Sequence, residues 1–317
     1  MKAIGLTEFG GPEVLKVVDL ADPHPGQGEV RIRVHAVAVN PTDLTFRSGG
    51  RAAQLANRPP PYVPGMDVAG IIDELGEATS GRISIGTAVI AYVIPMGPHG
   101  GAYAEWVVVD EASVVPAPRG ATLPEASTLL LNATTARLSL DALALPSGTT
   151  VAVIGSAGAV GGYAIQLAKA DGLSVLAVAT PSDEALVRSL GADMIVDPGH
   201  DVGAQIRGQL PSGAPGVIDG AALDGLALSA VADGGGLVTL KGWTGPSERD
   251  IVIHPISSFG SATDTALFDQ LRSQVEEGTL TLRVAEVLPA TEARQAHRRV
   301  AAGGIRGRLV LDFSQSL

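Results

Sequence analysis

Three glycines, at positions 155, 158 and 161, stand between the apolar run Val151-Ala-Val-Ile154 and the amphipathic stretch Ala159 to Lys169. Such a segment reads as strand, tight turn and helix start, an arrangement that binds a dinucleotide pyrophosphate. Glycine lets the backbone turn sharply and approach the phosphates, while free N–H groups at the helix N-terminus meet their negative charge. Gly155, Gly158 and Gly161 shape the candidate cradle, and Ser156, Ala157, Ala159 and Val160 fill it. The spacing is G-x-x-G-x-x-G rather than G-x-G-x-x-G, so the pattern by itself is only moderately specific.

A second signal follows the next strand, Ser174 to Ala179. NAD-specific sites place an Asp or Glu there, ~20 residues past the first glycines, to bond the ribose 2′-OH. Here the residue is Ala179, so no carboxylate repels a 2′-phosphate. Thr180 and Ser182 can donate hydrogen bonds to that phosphate, and Arg188 in the next helix can add positive charge. Asp183 and Glu184 stand against this assignment, and Thr180 and Ser182 also read as ordinary helix caps. The expected cofactor is NADPH.

Metal and thiol chemistry find little support. The chain has no cysteine, which excludes disulfides, thiolate nucleophiles and Cys-ligated zinc. Its six histidines show no H-x-x-x-H or H-E-x-x-H spacing, so no metal site is expected. His99, on a Pro-Gly-rich turn, reads as a solvated loop residue, and His35 as half-buried strand scaffold.

The elements that must position these residues fall into two groups. At ~150 residues per domain, 317 residues imply about two domains. The first 120 residues carry strand signals: the alternating run Val30 to Val39, then Val68–Ile72, Thr87–Ile94, Ala104–Val109 and Ser113–Val115, punctuated by Pro and Gly. Thr122-Leu-Pro-Glu125 begins a helix expected to reach Leu131, and a second helix runs from about Thr134 to Ala142. Strand and helix then alternate, with strands at 150–154, 174–179, 194–196, 216–219 and 236–241, implying a parallel, doubly wound sheet. Trp243 follows the last of these at the carboxyl edge of the sheet, a candidate wall for the cofactor. Asp250 to His254 reads as an edge strand, and Arg308 to Asp312 as a strand rejoining the N-terminal β domain. The expected fold class is α/β, a Rossmann sheet beside a mostly β domain.

Bulk charge narrows the partners. A net charge of −11, with Lys and Arg scattered, argues against nucleic acid. No apolar run reaches the ~18–20 residues that span a bilayer, and the N-terminus lacks a signal-peptide pattern. The expected location is cytoplasmic.

The order of these parts resembles the medium-chain dehydrogenase/reductase superfamily, in its zinc-independent quinone oxidoreductase branch. The landmarks are Phe9-Gly-Gly-Pro-Glu-Val-Leu15, Pro25 to Val34, Asn40-Pro-Thr-Asp43, Arg47-Ser-Gly49, Val63-Pro-Gly-Met-Asp-Val-Ala-Gly70, Gly100-Gly-Ala-Tyr-Ala-Glu-Trp106, Asn132-Ala-Thr-Thr-Ala136, Arg188-Ser-Leu-Gly-Ala-Asp193 and Gly307 to Leu311. The resemblance implies a GroES-like catalytic domain at 1–123 and 262–317 and a Rossmann domain at 124–261. It implies hydride transfer from NADPH to a quinone or an α,β-unsaturated carbonyl, with hydrogen-bond donors holding the resulting enolate where zinc would otherwise do so. Zinc-dependent relatives use Cys and a Gly-His-Glu segment; here that stretch is Gly65-Met66-Asp67.

By the same resemblance Asn40 lies beside the nicotinamide, Thr135 near its carboxamide, and Asp43 in the catalytic segment. Asn40, Pro41 and Asp43 also read as plain helix-start chemistry, and Thr135 as a hydroxyl bonding back along its helix. Thr45 replaces a family Tyr that contacts substrate, widening the pocket; Tyr62 or Tyr103 are candidate replacements for the lost phenol. The alternatives are an enoyl thioester reductase and a non-catalytic NADPH sensor. Relatives pair cofactor domains edge to edge, so a homodimer is expected.

Overall fold

In the computed structural model, which describes residues 1–315 and 317, the chain divides into two units. The first comprises Met1–Leu131, Phe259–Glu277 and Leu282–Leu317, and the second Asn132–Ser258 with Gly278–Thr281. These boundaries differ from 123/124 and 261/262. Residues 124–131 stay with the first unit because the Leu131 N–H is held by the Asp67 carboxylate at 2.8 Å. Residues 278–281 join the second because Thr281 exchanges hydrogen bonds with the Gln166 amide.

The first unit begins with β1 (Lys2–Gly5) and β2 (Lys16–Asp19), an antiparallel pair. Its main sheet is organised on β3 (Glu29–Ala38), whose alternation turns Val30, Ile32, Val34 and Ala36 inward. The chain continues through α1 (Pro41–Arg47), α2 (Ala52–Leu55), β4 (Asp67–Leu75), β5 (Ala88–Tyr92), β6 (Trp106–Asp110) and β7 (Val114–Pro116). β4 pairs along β3, β5 on β4 and β7 on β5, while β6 pairs with the first half of β3. Four residues form α3 (Leu123–Ala126), and α4 (Leu130–Leu143) follows. The single helix expected here is split because Ser127 and Thr128 turn their hydroxyls back onto the Pro124 and Glu125 carbonyls.

The second unit alternates strand and helix as far as β11: β8 (Thr150–Ile154), α5 (Ala159–Ala170), β9 (Ser174–Val178), α6 (Glu184–Ser189), β10 (Met194–Val196), α7 (Val202–Gln209), β11 (Ala214–Asp219), then β12 (Val231–Thr239) and β13 (Val252–Pro255). Among the described residues the strands form one parallel sheet in the order β10-β9-β8-β11-β12-β13. The strand order reverses between β8 and β11, and in such a sheet ligands bind beyond the carboxyl ends of those strands. Gly155 follows directly on β8.

The chain then returns to the first unit with α8 (Thr265–Glu276), β14 (Val284–Pro289), α9 (Ala293–Ala302) and β15 (Arg308–Asp312). β15 pairs antiparallel with Ala36–Ala38 of β3, and β14 runs parallel beside it. Leu309 and Leu311 enter the same apolar core as Ile32, Ile72 and Val107.

Candidate functional site

The glycine turn has the backbone its spacing predicts. Gly155 sits at φ +70°, left-handed backbone that favours glycine, and a Cβ there would lie 3.0 Å from the Gly220 carbonyl carbon. A Cβ on Gly161 would come within 2.4 Å of the Gly155 carbonyl oxygen and 2.7 Å of the Ser156 Cα. Helix α5 therefore packs onto the turn at a distance that only glycine allows. Gly158 caps the helix, and its N–H meets the Gly155 carbonyl at 3.0 Å. No acidic residue occupies the first turn of α5, so no carboxylate of that turn neutralises its positive end. Ser156 is buried and donates its hydroxyl to the Val178 carbonyl at 2.7 Å, pinning the turn to the end of β9. Ala157 and Ala159 are buried and Val160 half-buried. These residues fit a pyrophosphate.

At the end of β9, Ala179 is buried and its N–H binds the Val196 carbonyl. Thr180 and Ser182 are exposed, with their hydroxyls 2.9 Å apart, and Thr180 donates to the Asp183 carboxylate at 2.8 Å. Thr180 thus holds an N-cap position but bonds a side chain rather than a backbone amide. Arg188, the candidate positive charge, pairs with Glu184 at 2.8 Å, one helical turn away. The i,i+4 spacing explains this, and with both partners about half exposed the pair is weak.

Asn40, Asp43 and a residue the sequence reading treated only as a lost metal position, Asp67, form one buried cluster. Asp43 is fully buried, and its two oxygens accept the Asn40 N–H at 2.8 Å and the Gly65 N–H at 3.0 Å. Asp43 thus fixes the start of α1 and the Gly65 loop, with both carboxylate oxygens engaged. Asn40, also fully buried, donates Nδ2 to Asp67 at 3.1 Å and to the Ala38 carbonyl at 3.3 Å. Burial pushes both the Asp43 and Asp67 carboxyls up to about 7, against the hydrogen bonds they accept. The composition Met66-Asp67 offered no sign of this; only the pairing of β3 with β4 brings Asp67 opposite Ala38.

The remaining hydroxyls are more open. Thr45 is exposed on α1, with its hydroxyl 3.3 Å from the Pro41 carbonyl one turn back. Thr135, half-buried on α4, donates to Ser258 Oγ at 3.3 Å, a partner that nothing in the local sequence announced. Neither tyrosine replaces the missing phenol. Tyr103 is fully buried, with its hydroxyl 3.1 Å from His297 Nε2, and Tyr62 stacks on Phe9 and donates to the Arg58 carbonyl. Trp243 is half-buried beyond β12, where its carbonyl accepts the Thr239 hydroxyl and its ring packs on Gly225. His99 is not a solvated loop residue: its Nε2 lies 3.0 Å from Glu29. Among the described residues no group of three or more His, Cys, Asp or Glu is arranged to hold a metal.

With this geometry in hand, two family models match: an alcohol dehydrogenase GroES-like domain over residues 26–119 and a zinc-binding dehydrogenase domain over 190–311. The quinone oxidoreductase of Mus musculus is 31% identical, the match covering 98% of this chain and 97% of that one. The chain belongs to the quinone oxidoreductase-like branch of the medium-chain dehydrogenase/reductase superfamily. Within this branch an Arabidopsis thaliana NADPH-dependent alkenal/one oxidoreductase is 34% identical over 78% of the chain and 64% of its own. A mycobacterial structure complexed with NADPH superposes with a TM-score of 0.87 at 28% identity, covering 98% of this chain and 100% of that one. This quinone oxidoreductase-like chain is thus a nicotinamide-dependent oxidoreductase, and its second unit carries the turn such a cofactor needs.

Proposed function

We propose that this oxidoreductase uses NADPH to reduce a quinone or the conjugated double bond of an α,β-unsaturated carbonyl, without a metal. The observation that carries it is the Gly155–Gly161 cradle at the sheet's reversal point together with Ala179, a buried methyl where NAD-specific sites need an acid. When bound, the nicotinamide supplies hydride to the acceptor. The chain's own residues bind, orient and stabilise. Thr180 and Ser182, exposed beside Ala179, would turn their hydroxyls to a 2′-phosphate. Thr45, exposed on α1, is the candidate donor to the oxygen on which an enone or quinone develops negative charge, and Thr135, in the cofactor-binding unit, is a candidate neighbour of the nicotinamide carboxamide. Asn40 and Asp43 act one step back, by fixing the start of α1. With no cysteine to ligate zinc, hydrogen-bond donors take the place of a metal in this reading.

The acceptor is a small conjugated carbonyl compound rather than nucleic acid, consistent with the net charge of −11. β13 lies at the sheet edge with Val252 53% exposed, and a second copy pairing there would give a homodimer.

The test is loss of NADPH absorbance with 1,4-naphthoquinone, an α,β-unsaturated ketone and an enoyl thioester, each with and without a chelator. Turnover of the first two, unchanged by chelation, is expected. Turnover of the thioester alone would reassign the protein as an enoyl thioester reductase, and NADPH binding with no turnover would make it a sensor.

A further inference from the structure

Arg51, immediately before α2, lies over the ring of Phe259 in the same unit, its Cζ 4.8 Å from the ring centroid. Its carbonyl accepts the Gln54 N–H, but among the described residues its guanidinium has no ion pair and no hydrogen bond. Several other arginines are held: Arg31 binds Asp73 and Glu74, Arg272 binds Asp269 and Glu276, and Arg58 holds the Met96 and Pro98 carbonyls. Arg58, Arg82 and Arg207 also meet no carboxylate but are held by backbone carbonyls, whereas the partly exposed Arg51 guanidinium has only the Phe259 ring.

Stacking decides what such a group can do. A guanidinium lying on an aromatic face keeps its N–H groups in its own plane, aimed away from the ring. The ring restricts where the guanidinium can move, and its two parallel N–H bonds match the two oxygens of a carboxylate. Its location is fixed by its neighbour. Gly50 packs on Thr45, where a Cβ would come within 2.6 Å of the threonine methyl, and the Gly50 N–H binds the Thr45 carbonyl at 2.9 Å. Arg51 therefore leaves the chain directly beside Thr45, the exposed hydroxyl of α1.

We infer that Arg51, aligned by Phe259, binds a carboxylate on the acceptor, so that the preferred substrate is an acidic conjugated carbonyl rather than a neutral one. This rests on the proposal that α1 borders the acceptor. A phosphate monoester presents a similar pair of oxygens and must be separated by experiment.

The test compares trans-3-benzoylacrylate with its methyl ester, which share one enone and differ in charge. The wild-type protein is expected to prefer the acid. Arg51→Gln should lower kcat/KM for the acid about tenfold, through KM, while the ester changes less than about twofold. Arg51→Lys, a point charge without the fork, should fall between them, and Phe259→Leu should weaken the acid alone. Calorimetry with the saturated acid 3-benzoylpropionate reads the same contact without turnover, and binding should be lost in Arg51→Gln. Equal losses on acid and ester, or no binding of benzoylpropionate by the wild type, overturn the inference. Tighter binding of phenyl phosphate than of benzoylpropionate replaces carboxylate by phosphate and overturns it too. Binding of the acid without reduction of either substrate leaves this site standing and removes the reductase proposal instead.

Discussion

A methyl group at Gly161 would stand 2.4 Å from the Gly155 carbonyl oxygen, inside any allowed contact. Gly161→Ala must push α5 off the turn, so it should cost about 1–3 kcal/mol of stability and weaken NADPH at least about tenfold. Thermal unfolding and a fluorescence titration with NADPH would measure both. Ala179→Asp acts differently, because the new carboxylate would face the 2′-phosphate and offer acceptors to a ribose 2′-OH. The NADPH-to-NADH ratio of kcat/KM should fall by about tenfold or more, at some cost in stability because the site is buried. An unchanged ratio would show that Ala179 does not border the ribose. Arg188, by contrast, is held by Glu184, and its substitution should matter less than that of Ala179.

The start of α1 carries architecture that its local sequence announces only in part. Asn40-Pro41-Thr42-Asp43 was legible as a helix start, and the Asn40 N–H does reach the Asp43 carboxylate. Its second oxygen, on Gly65, joins two segments far apart in sequence, which no local pattern announces. Asp43→Ala leaves both amides buried without that acceptor, a loss of about 2–5 kcal/mol. The expected result is a large drop in Tm with NADPH affinity of the folded protein unchanged. A selective loss of kcat without loss of stability would return Asp43 to the catalytic list. The helix expected at 122–131 failed for a related reason: Ser127 and Thr128 bond their own backbone and end α3 early.

Across the whole molecule, buried titratable groups oppose each other in pH. Burial, helped by the Arg47 charge, pushes His297 down to about 3, so the unfolded chain binds the extra proton between about pH 3 and 6.5. Its contribution is fully present above pH 6.5 and is lost on acidification, by at most about 1.4 kcal/mol per pH unit. Asp43 and Asp67, raised to about 7, contribute in the other sense: their stabilisation is present below about pH 4 and is lost as pH rises through 7. His297→Gln keeps a partner for Tyr103 but cannot titrate. The wild-type-minus-variant stability should therefore shrink from pH 7 to pH 4 in chemical unfolding, and a constant difference would refute a neutral buried His297. The molecule's association is tested at β13, where Val252→Lys places a charge on the exposed sheet edge. In sedimentation it should shift a dimer towards monomer with activity per chain measured alongside.

What the sequence determined by itself was local: alternation with period two, glycines at three-residue spacing, a proline-led helix start and a missing acid at Ala179. These follow from backbone sterics and periodicity within a few residues, and they were enough to read the two-part fold and the cofactor turn. Tertiary structure decided what depends on partners distant in sequence. It placed Asp67 against Asn40, joined Tyr103 to His297, and laid Arg51 on Phe259. A side chain's charge state and availability are set by burial and by the groups that reach it in space, and those become defined only when the strands and helices have packed.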